Sequence, residues 1–218
     1  MTTVTEWLST YDSVPQDLIR GENVFVIGGG PSLRNFDPVD LEGQNVIVTN
    51  EAFSMIPDAK ALVFVDIGWW QKRKTEVLET FKGKIIGRGP YQEMYKRDDL
   101  INVAFRQGDQ WSEDPRQLAG RNSGLAATNA AILMGAKRVF LLGFDMKPIE
   151  DRNNYHKLHP TSVGRNLHRY TTYFLPEFLQ ASKRCETLGH IIINCTPDSA
   201  LTCFPERTLE WVLNEYRP

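Results

Sequence analysis

The chain has 218 residues, 41% of them hydrophobic, and a formal net charge of −2. This length suits one large α/β domain or two small ones, and the apolar fraction is enough for a full core. The near-neutral charge gives no global attraction to nucleic acid or to membranes. No apolar run reaches the roughly 18 residues of a transmembrane helix. The segment Met1 to Gly21 lacks the apolar stretch of a secretory signal. We therefore expect a cytoplasmic protein with no integral membrane segment.

The cysteines indicate neither a disulfide framework nor a zinc site. There are three, Cys185, Cys195 and Cys203, and none lies in a Cys-x-x-Cys pair. Reduced, mostly buried thiols are the expected state in a cytoplasmic protein.

Short β-rich runs alternate with helical segments along the chain. They predict strands at Asn23 to Ile27, Asn45 to Thr49, Ala61 to Ile67, Lys84 to Gly87, Asn102 to Phe105, Arg138 to Leu142 and His190 to Cys195. The runs are continuously apolar, as strands covered on both faces of a parallel sheet are. The predicted fold is α/β, a Rossmann-like, mostly parallel sheet with helices on both faces. Residues 1–218 are expected to form a single nucleotide-binding domain.

Three helices are predicted from caps and apolar spacing, from Asn122 to Met134, from Arg165 to Leu188 and from Glu206 to Tyr216. Pro176 should kink or split the second of them. The polar stretches Gln107 to Arg121 and Lys147 to Arg165 read as long loops, which are often functional in compact domains. The second of these loops, at about 147–165, is the expected active-site loop.

The turn after the first strand has the sequence Gly28-Gly29-Gly30-Pro31-Ser32-Leu33. Glycines allow a sharp turn and let a ligand approach the backbone, and Pro31 suits the first position of a helix. The N–H groups of that helix, together with the Ser32 hydroxyl, could bind a phosphate. The alternative is a glycine-rich turn without a ligand. If a nucleotide does bind here, a valine at position 30 should fill the phosphate space and leave the fold intact.

Two familiar nucleotide motifs fit this turn poorly. A dinucleotide fingerprint requires a third glycine where Leu33 stands and an acidic residue where the second strand ends in Asn50. A P-loop requires a Gly-Lys-Ser/Thr sequence, which does not follow the turn. These missing residues argue against both a dinucleotide-dependent dehydrogenase and a P-loop NTPase.

Small and polar residues follow further strands at the same predicted edge of the sheet, where α/β proteins bind ligands. They are Asn50, Asp66, the helix start Asn122-Ser123-Gly124, and Gly143-Phe144-Asp145. Each has a simpler explanation as well, because Asn50 could form a turn and Asn122 could be a plain cap. Asp66 could bind a metal, orient an acceptor or cap the next segment. The convergence of these residues is a stronger indication of a site than any one of them.

In this order and spacing, the motifs resemble those of the bacterial lipooligosaccharide sialyltransferases of glycosyltransferase family 42. They also resemble a wider group that includes motility-associated flagellin glycosylation proteins and 6-hydroxymethylpterin diphosphokinases. The resemblance covers most of the chain, from about Asn23 to Cys195. It implies that a nucleotide-sugar is held by Gly28, Gly30, Ser32, Asn50, Ser123 and Gly124. It further implies that Gly143, Phe144 and Asp145 line the base and ribose.

The resemblance also implies a loop histidine as general base and loop tyrosines that stabilise the departing phosphate. His156 and His159 are both candidates for the base, and Tyr155 is the tyrosine of that loop. Lys157 or Arg165 could add charge. The chain departs from the family at Gly29, which stands where the family has an asparagine. The resemblance therefore does not identify the sugar that is transferred.

The predicted function is metal-independent transfer of a sugar from a nucleotide-sugar donor to an acceptor hydroxyl, because no Asp-x-Asp metal motif is present. No cofactor is expected beyond the nucleotide-sugar co-substrate. The expected acceptor is a glycan or another hydroxyl compound. The sequence does not determine the oligomeric state, and a homo-oligomer is compatible with it. His168 and His190, on a helix and just before a strand, are expected to be structural.

Three alternatives remain. One is a Mg²⁺-dependent pyrophosphokinase of a pterin-like molecule, with Asp66 and Asp145 as metal ligands. A second is a glycosyltransferase acting on DNA with hydroxymethylated bases, held by Trp69-Trp70 and the basic run Lys72-Arg73-Lys74. A third is a non-catalytic nucleotide-binding module, which would need no loop base.

Overall fold

The structure is a computed structural model that describes residues 10–88, 97–106, 111–150, 152–156 and 163–216. Seven strands form one parallel sheet in the order β5-β4-β3-β2-β1-β8-β9. Their bounds are β1 Asn23–Ile27, β2 Val46–Thr49, β3 Ala61–Phe64, β4 Lys84–Gly87, β5 Leu100–Asn102, β8 Arg138–Leu142 and β9 Ile191–Asn194. A second, two-stranded parallel sheet pairs β6 Ala104–Arg106 with β7 Gln117–Ala119.

Strand β1 lies at the point where the strand order changes direction. It pairs with β2 on one side and β8 on the other, so that Phe25 is opposite both Val46 and Phe140. In open parallel sheets, a crevice forms outside the carboxyl ends of the strands at such a point. The loops after β1, β2 and β8 therefore meet there.

Five α-helices accompany the sheet in the described part of the chain. They are α1 Ile67–Thr80, α2 Ser123–Leu133, α3 Val163–Arg169, α4 Leu175–Leu188 and α5 Leu209–Glu215. Shorter 3₁₀ turns span Pro31–Asn35, Pro38–Leu41 and Asn50–Ser54.

Apolar residues of the sheet pack into two clusters, one on each face. Val24 and Val26 belong to the cluster covered by α2 and α4, and Phe25 and Ile27 belong to the cluster covered by α1 and α5. Both kinds of position are buried, so the strand shows no alternation of polar and apolar residues. The α/β prediction with helices on both faces is confirmed.

The third strand is shorter than predicted, and a helix follows it that was not expected. β3 ends at Phe64, and Asp66 caps α1 by accepting hydrogen bonds from the backbone N–H groups of Gly68 (2.8 Å) and Trp69 (3.1 Å). An aspartate in this position favours a helix start over a continued strand. The apolar run to Ile67 concealed that signal.

The expected strand from Asn102 to Phe105 is divided between the two sheets. β5 ends at Asn102, whose N–H donates to the Asp12 carboxylate over 2.8 Å, and β6 begins two residues later. Its partner β7 lies within the polar stretch Gln107 to Arg121, which the sequence predicts to be a loop. Three-residue strands of this kind carry too little pattern to be separated by sequence.

The irregularity predicted near Pro176 takes the form of a π-helical turn. Residues Tyr170–Phe174 form this turn between α3 and α4, and the Leu175 N–H donates to the Tyr170 carbonyl five residues back. Pro176, which has no N–H of its own, lies in the first turn of α4. Such π turns are frequent at functional sites.

Candidate functional site

A cavity of about 550 Å³ opens at the carboxyl ends of the central strands. Most of the residues that the sequence singled out line it, namely Gly28, Gly29, Gly30, Pro31, Asn50, Asp66, Asn122, Ser123, Gly124, Gly143, Phe144 and Asp145. The predicted convergence of strand ends and a helix start is therefore present. That a nucleotide binds there stays a prediction.

One wall is formed where the ends of β2 and β3 meet the start of α2. Asn50 has a left-handed backbone with φ of 46°, a conformation that asparagine tolerates better than most residues. Its Oδ1 accepts a hydrogen bond from the Ser123 hydroxyl over 3.1 Å. That hydroxyl in turn accepts one from the Val65 N–H, also over 3.1 Å. Unfavourable backbone at a cavity is typical of functional sites.

The turns after β1 and β8 are joined by a carboxylate. Asp145 is 1% exposed, and its two oxygens accept from the Ser32 backbone N–H (3.0 Å) and the Ser32 hydroxyl (2.8 Å). Burial raises the pKa of Asp145, and the hydrogen bonds from Ser32 oppose that rise. The Ser32 donors that the sequence assigned to a phosphate are bound to a neighbouring carboxylate in this structure. A phosphate contact from Ser32 stays a prediction.

The glycines of the first turn allow close packing of two loops. A Cβ on Gly28 would lie 2.5 Å from the Gly143 carbonyl oxygen, and one on Gly30 would collide with the Asp145 carboxylate. The expectation that Gly30→Val leaves the fold intact is therefore wrong. Gly29 differs from both, because a Cβ there would meet only the Asn154 side chain, at 3.5 Å. A Cβ can therefore be accommodated at Gly29 but not at Gly28 or Gly30.

The start of α2 is the helix N-terminus that faces the cavity. The Asn122 side chain caps it by accepting from the Leu125 N–H over 2.8 Å. The N–H groups of Ser123 and Gly124 come first in the helix, where no carbonyl of the helix can reach them. Helix N-termini of this kind attract anions.

An arginine that sequence reasoning missed lies beside this helix start. Arg121 lines the cavity, its guanidinium stands 5.5 Å from the Tyr173 ring centroid, and its Nε lies 3.3 Å from a carboxylate oxygen of Glu177. Glu177 also accepts from the Arg121 backbone N–H over 3.2 Å. Burial raises the pKa of Glu177, whereas the hydrogen bond and charge of Arg121 lower it.

The π turn and α3 supply a further wall that was not predicted, formed by Asn166, Arg169, Tyr170, Tyr173 and Phe174. The Tyr170 hydroxyl donates to the Asn153 carbonyl over 3.3 Å. Burial, and secondarily the charge of Asp145, raise the pKa of Tyr170 to about 12. A regular helical spacing of polar residues does not reveal this wall, because a π turn changes which side chains share a face.

Tyr155 and His156, two of the predicted catalytic residues, are described by the structure but are not among the residues that line the cavity. Tyr155 packs against the apolar cluster under α1, and its N–H donates to the Gly29 carbonyl over 3.2 Å. Burial, and secondarily the charge of Glu51, raise its pKa to about 12. His156 stands edge-on to Tyr155 with ring centroids 4.9 Å apart. His159 and Lys157 lie outside the described residues.

The tryptophans and the arginine proposed to hold a nucleic-acid substrate have contacts within the protein, whereas Lys72 is exposed. Trp69 and Trp70 are 3% and 2% exposed, and Trp70 stacks on Phe64 at 4.7 Å between ring centroids. Arg73 forms an ion pair of 3.0 Å with the buried carboxylate of Glu51. These tryptophans therefore pack in the core, where they do not face a base or sugar.

The other described histidines lie away from the cavity lining. His168 is exposed on α3, with its Nδ1 3.2 Å from the Thr172 hydroxyl. His190 lies against Trp111 at 5.9 Å between ring centroids, and burial lowers its pKa.

The described residues contain no group of three or more His, Cys, Asp or Glu that could hold a metal ion. No helix among them is long and apolar enough to cross a membrane.

Comparison with known proteins supports the fold. No protein-family model and no curated protein matches the chain. Among solved structures, a variant of the sialyltransferase CST-II in complex with CMP is similar, with a TM-score of 0.52, 13% identity, and coverage of 84% of this chain and 85% of that one. An enoyl-acyl carrier protein reductase of Bacillus cereus has a TM-score of 0.29, which is too low to indicate a shared fold. The likeness to CST-II shows a shared fold.

Proposed function

We propose that this protein is a glycosyltransferase that moves a sugar from a nucleotide donor to an acceptor hydroxyl. The observation that carries the proposal is the cavity at the carboxyl edge of the sheet, which is lined by both the first glycine turn and the N-terminus of α2. The similarity of fold to a sialyltransferase crystallised with CMP supports it. Ligands bind at such an edge in open α/β sheets.

The donor phosphate is assigned to the start of α2. The N–H groups of Ser123 and Gly124 and the guanidinium of Arg121 offer positive charge there, and a phosphate accepts hydrogen bonds from both kinds of donor. The first turn then serves as a floor, with Gly29 leaving room for the nucleoside. This assignment replaces Ser32, because Asp145 already occupies its donors.

The leaving phosphate needs groups that stabilise its developing charge. Tyr170 and Tyr173 line the cavity and carry hydroxyl groups, whereas Tyr155 packs into the core beside it. The role that the sequence gave to Tyr155 therefore passes, in this proposal, to the two tyrosines of the π turn.

The acceptor hydroxyl requires a base, and a loop histidine is proposed for it. His156 and His159 remain the candidates, since an imidazole with a pKa near 6.5 accepts a proton readily at neutral pH. Transfer is proposed to be independent of metal, on the ground that the sequence has no Asp-x-Asp motif.

Two of the alternatives depend on residues that have contacts within the fold in this structure. For a pyrophosphokinase, Asp66 and Asp145 would have to hold Mg²⁺. Asp66 caps α1, and both oxygens of Asp145 bind Ser32. For a DNA-directed enzyme, the two tryptophans are buried. A non-catalytic nucleotide-binding module would use the same cavity, so only an experiment can distinguish it from a glycosyltransferase.

A thermal-shift screen of nucleoside monophosphates, nucleoside diphosphates and their sugar conjugates tests the proposal. A ligand that binds the folded state raises the melting temperature by mass action. We expect at least one nucleotide to do so, and the matching sugar conjugate to be cleaved slowly on incubation. Stabilisation without cleavage, with every acceptor class offered, would favour the non-catalytic module.

A further inference from the structure

The Glu177 carboxylate is buried but has a specific partner. It lies on α4 and is 5% exposed, although glutamate is rarely buried unless it is paired. One oxygen accepts from the Arg121 backbone N–H over 3.2 Å, and the other lies 3.3 Å from the Arg121 Nε. A single carboxylate therefore holds both the main chain and the side chain of one arginine.

The closest contact of the ion pair is made by the Arg121 Nε, 3.3 Å from the Glu177 carboxylate. The guanidinium carbon stands over the Tyr173 ring, 5.5 Å from its centroid. The Arg121 side chain is 50% exposed and lines the cavity. A guanidinium fixed in this way presents its terminal N–H groups in a fork that suits a phosphate.

Tyr173 and Glu177 are four residues apart, one at the end of the π turn and the other in α4. They hold Arg121 from two directions, and Arg121 directly precedes the cap of α2. The π-helical turn thus connects the tyrosine-bearing wall of the cavity to the helix N-terminus.

We infer that Glu177 is the positioning residue for Arg121, and that its carboxylate orients the guanidinium toward a nucleotide phosphate bound at the start of α2. This rests on the proposed function, because it assumes a phosphate in the cavity. Glu177 itself does not touch the ligand. A buried ion pair often adds little net stability, so a role in orientation gives this costly group a reason to be present.

The test compares a nucleotide with its nucleoside. Calorimetry would measure the binding affinity of each nucleoside monophosphate and its nucleoside, beginning with CMP and cytidine, and of pyrophosphate as a probe without a base. The proteins compared are the wild type, Glu177→Gln, Arg121→Ala and the double variant. Glu177→Gln keeps the shape of the side chain and an oxygen that accepts from the Arg121 N–H. Glu186→Gln, an exposed glutamate on the same helix, is the matched control.

For Glu177→Gln we expect about five- to tenfold weaker binding of the nucleotide, the scale of a weakened charge-assisted hydrogen bond, with nucleoside binding unchanged. The double variant should bind no more weakly than Arg121→Ala, because the two residues act as one unit. A merely structural glutamate would weaken nucleotide and nucleoside alike, or would add its loss to that of Arg121→Ala, and either result overturns the inference. Wild-type nucleotide affinity in Glu177→Gln overturns it while leaving the proposed function in place. If the wild type binds no nucleotide and no pyrophosphate, both fail.

Discussion

The Ser123 hydroxyl donates a hydrogen bond of 3.1 Å to the side-chain oxygen of Asn50, although the two residues are 73 positions apart in the chain. Ser123 opens helix α2 and Asn50 follows strand β2, so this contact joins the helix start to the carboxyl edge of the sheet. It fixes one wall of the cavity before any ligand binds. Such preorganisation is what a site for a charged intermediate requires.

Substitutions of Asn50 should separate its backbone role from its side-chain role. Asn50→Ala places a residue with a Cβ in a left-handed conformation and removes the Ser123 contact, so we expect a loss of about 1–2 kcal/mol in the free energy of unfolding. Asn50→Gly accepts the same backbone and should lose less stability. Both variants should bind nucleotide more weakly. Urea unfolding and calorimetry measure the two effects. Full nucleotide affinity in Asn50→Gly would show that the side chain serves only the turn.

The first turn predicts opposite behaviour for two neighbouring glycines. Gly30→Ala should destabilise the fold by about 1–3 kcal/mol, because its methyl group would collide with the Asp145 carboxylate. Gly29→Val should fold normally, because its Cβ would make only an ordinary contact with Asn154, and it should lose nucleotide binding, because Gly29 lines the cavity. Thermal melting and nucleotide titration of both variants check this. A Gly29→Val protein with unchanged affinity would place the ligand elsewhere.

The sequence predicted the general architecture well for a physical reason. Val24 and Phe25 face opposite clusters and are both buried, so the continuous apolar run itself indicated a sheet covered on both faces. The cavity residues after β1, β2, β3 and β8 were found because they follow strands of one parallel sheet.

Other parts of the site depend on contacts that no local pattern reveals. Asp145 has the residue type of a ligand-binding group, but only its distance to Ser32 shows that it binds the neighbouring turn. The wall formed by Tyr170 and Tyr173 depends on the winding of a π turn. A regular helical pattern does not indicate that winding.

The catalytic roles of the tyrosines can be assigned by replacing each one with phenylalanine, which removes only the hydroxyl oxygen. Tyr155→Phe should keep near-normal turnover of a sugar nucleotide, because its ring packs in the core and the residue is not among those that line the cavity. Tyr170→Phe should lower turnover about tenfold or more, if its hydroxyl stabilises the departing phosphate. Steady-state kinetics with intact folding, checked by circular dichroism, distinguishes them. The reverse order of effects would return the catalytic role to Tyr155.

The base should be identifiable among the histidines. Replacing the true base, His156 or His159, with alanine should reduce turnover by roughly 10²–10⁴-fold with little change in nucleotide affinity. A base must be unprotonated, so the wild-type rate should fall as the pH drops below the imidazole pKa, and this acidic limb should vanish in the variant. His190→Ala, at the opposite edge of the sheet, serves as the control. Normal turnover in both loop variants and in their double variant would rule out a loop base.

The most direct measurement is the release of free nucleotide from a panel of sugar nucleotides, followed by chromatography in the presence of excess EDTA. The proposal predicts that the wild type releases nucleotide from at least one donor, faster with a suitable acceptor, and that chelator does not stop it. Arg121→Ala and Gly29→Val should each abolish most of this release. Release that vanishes with EDTA and returns with Mg²⁺ would contradict metal-independent transfer. If no donor is cleaved, with or without Mg²⁺ and across all acceptor classes, the protein is not a glycosyltransferase.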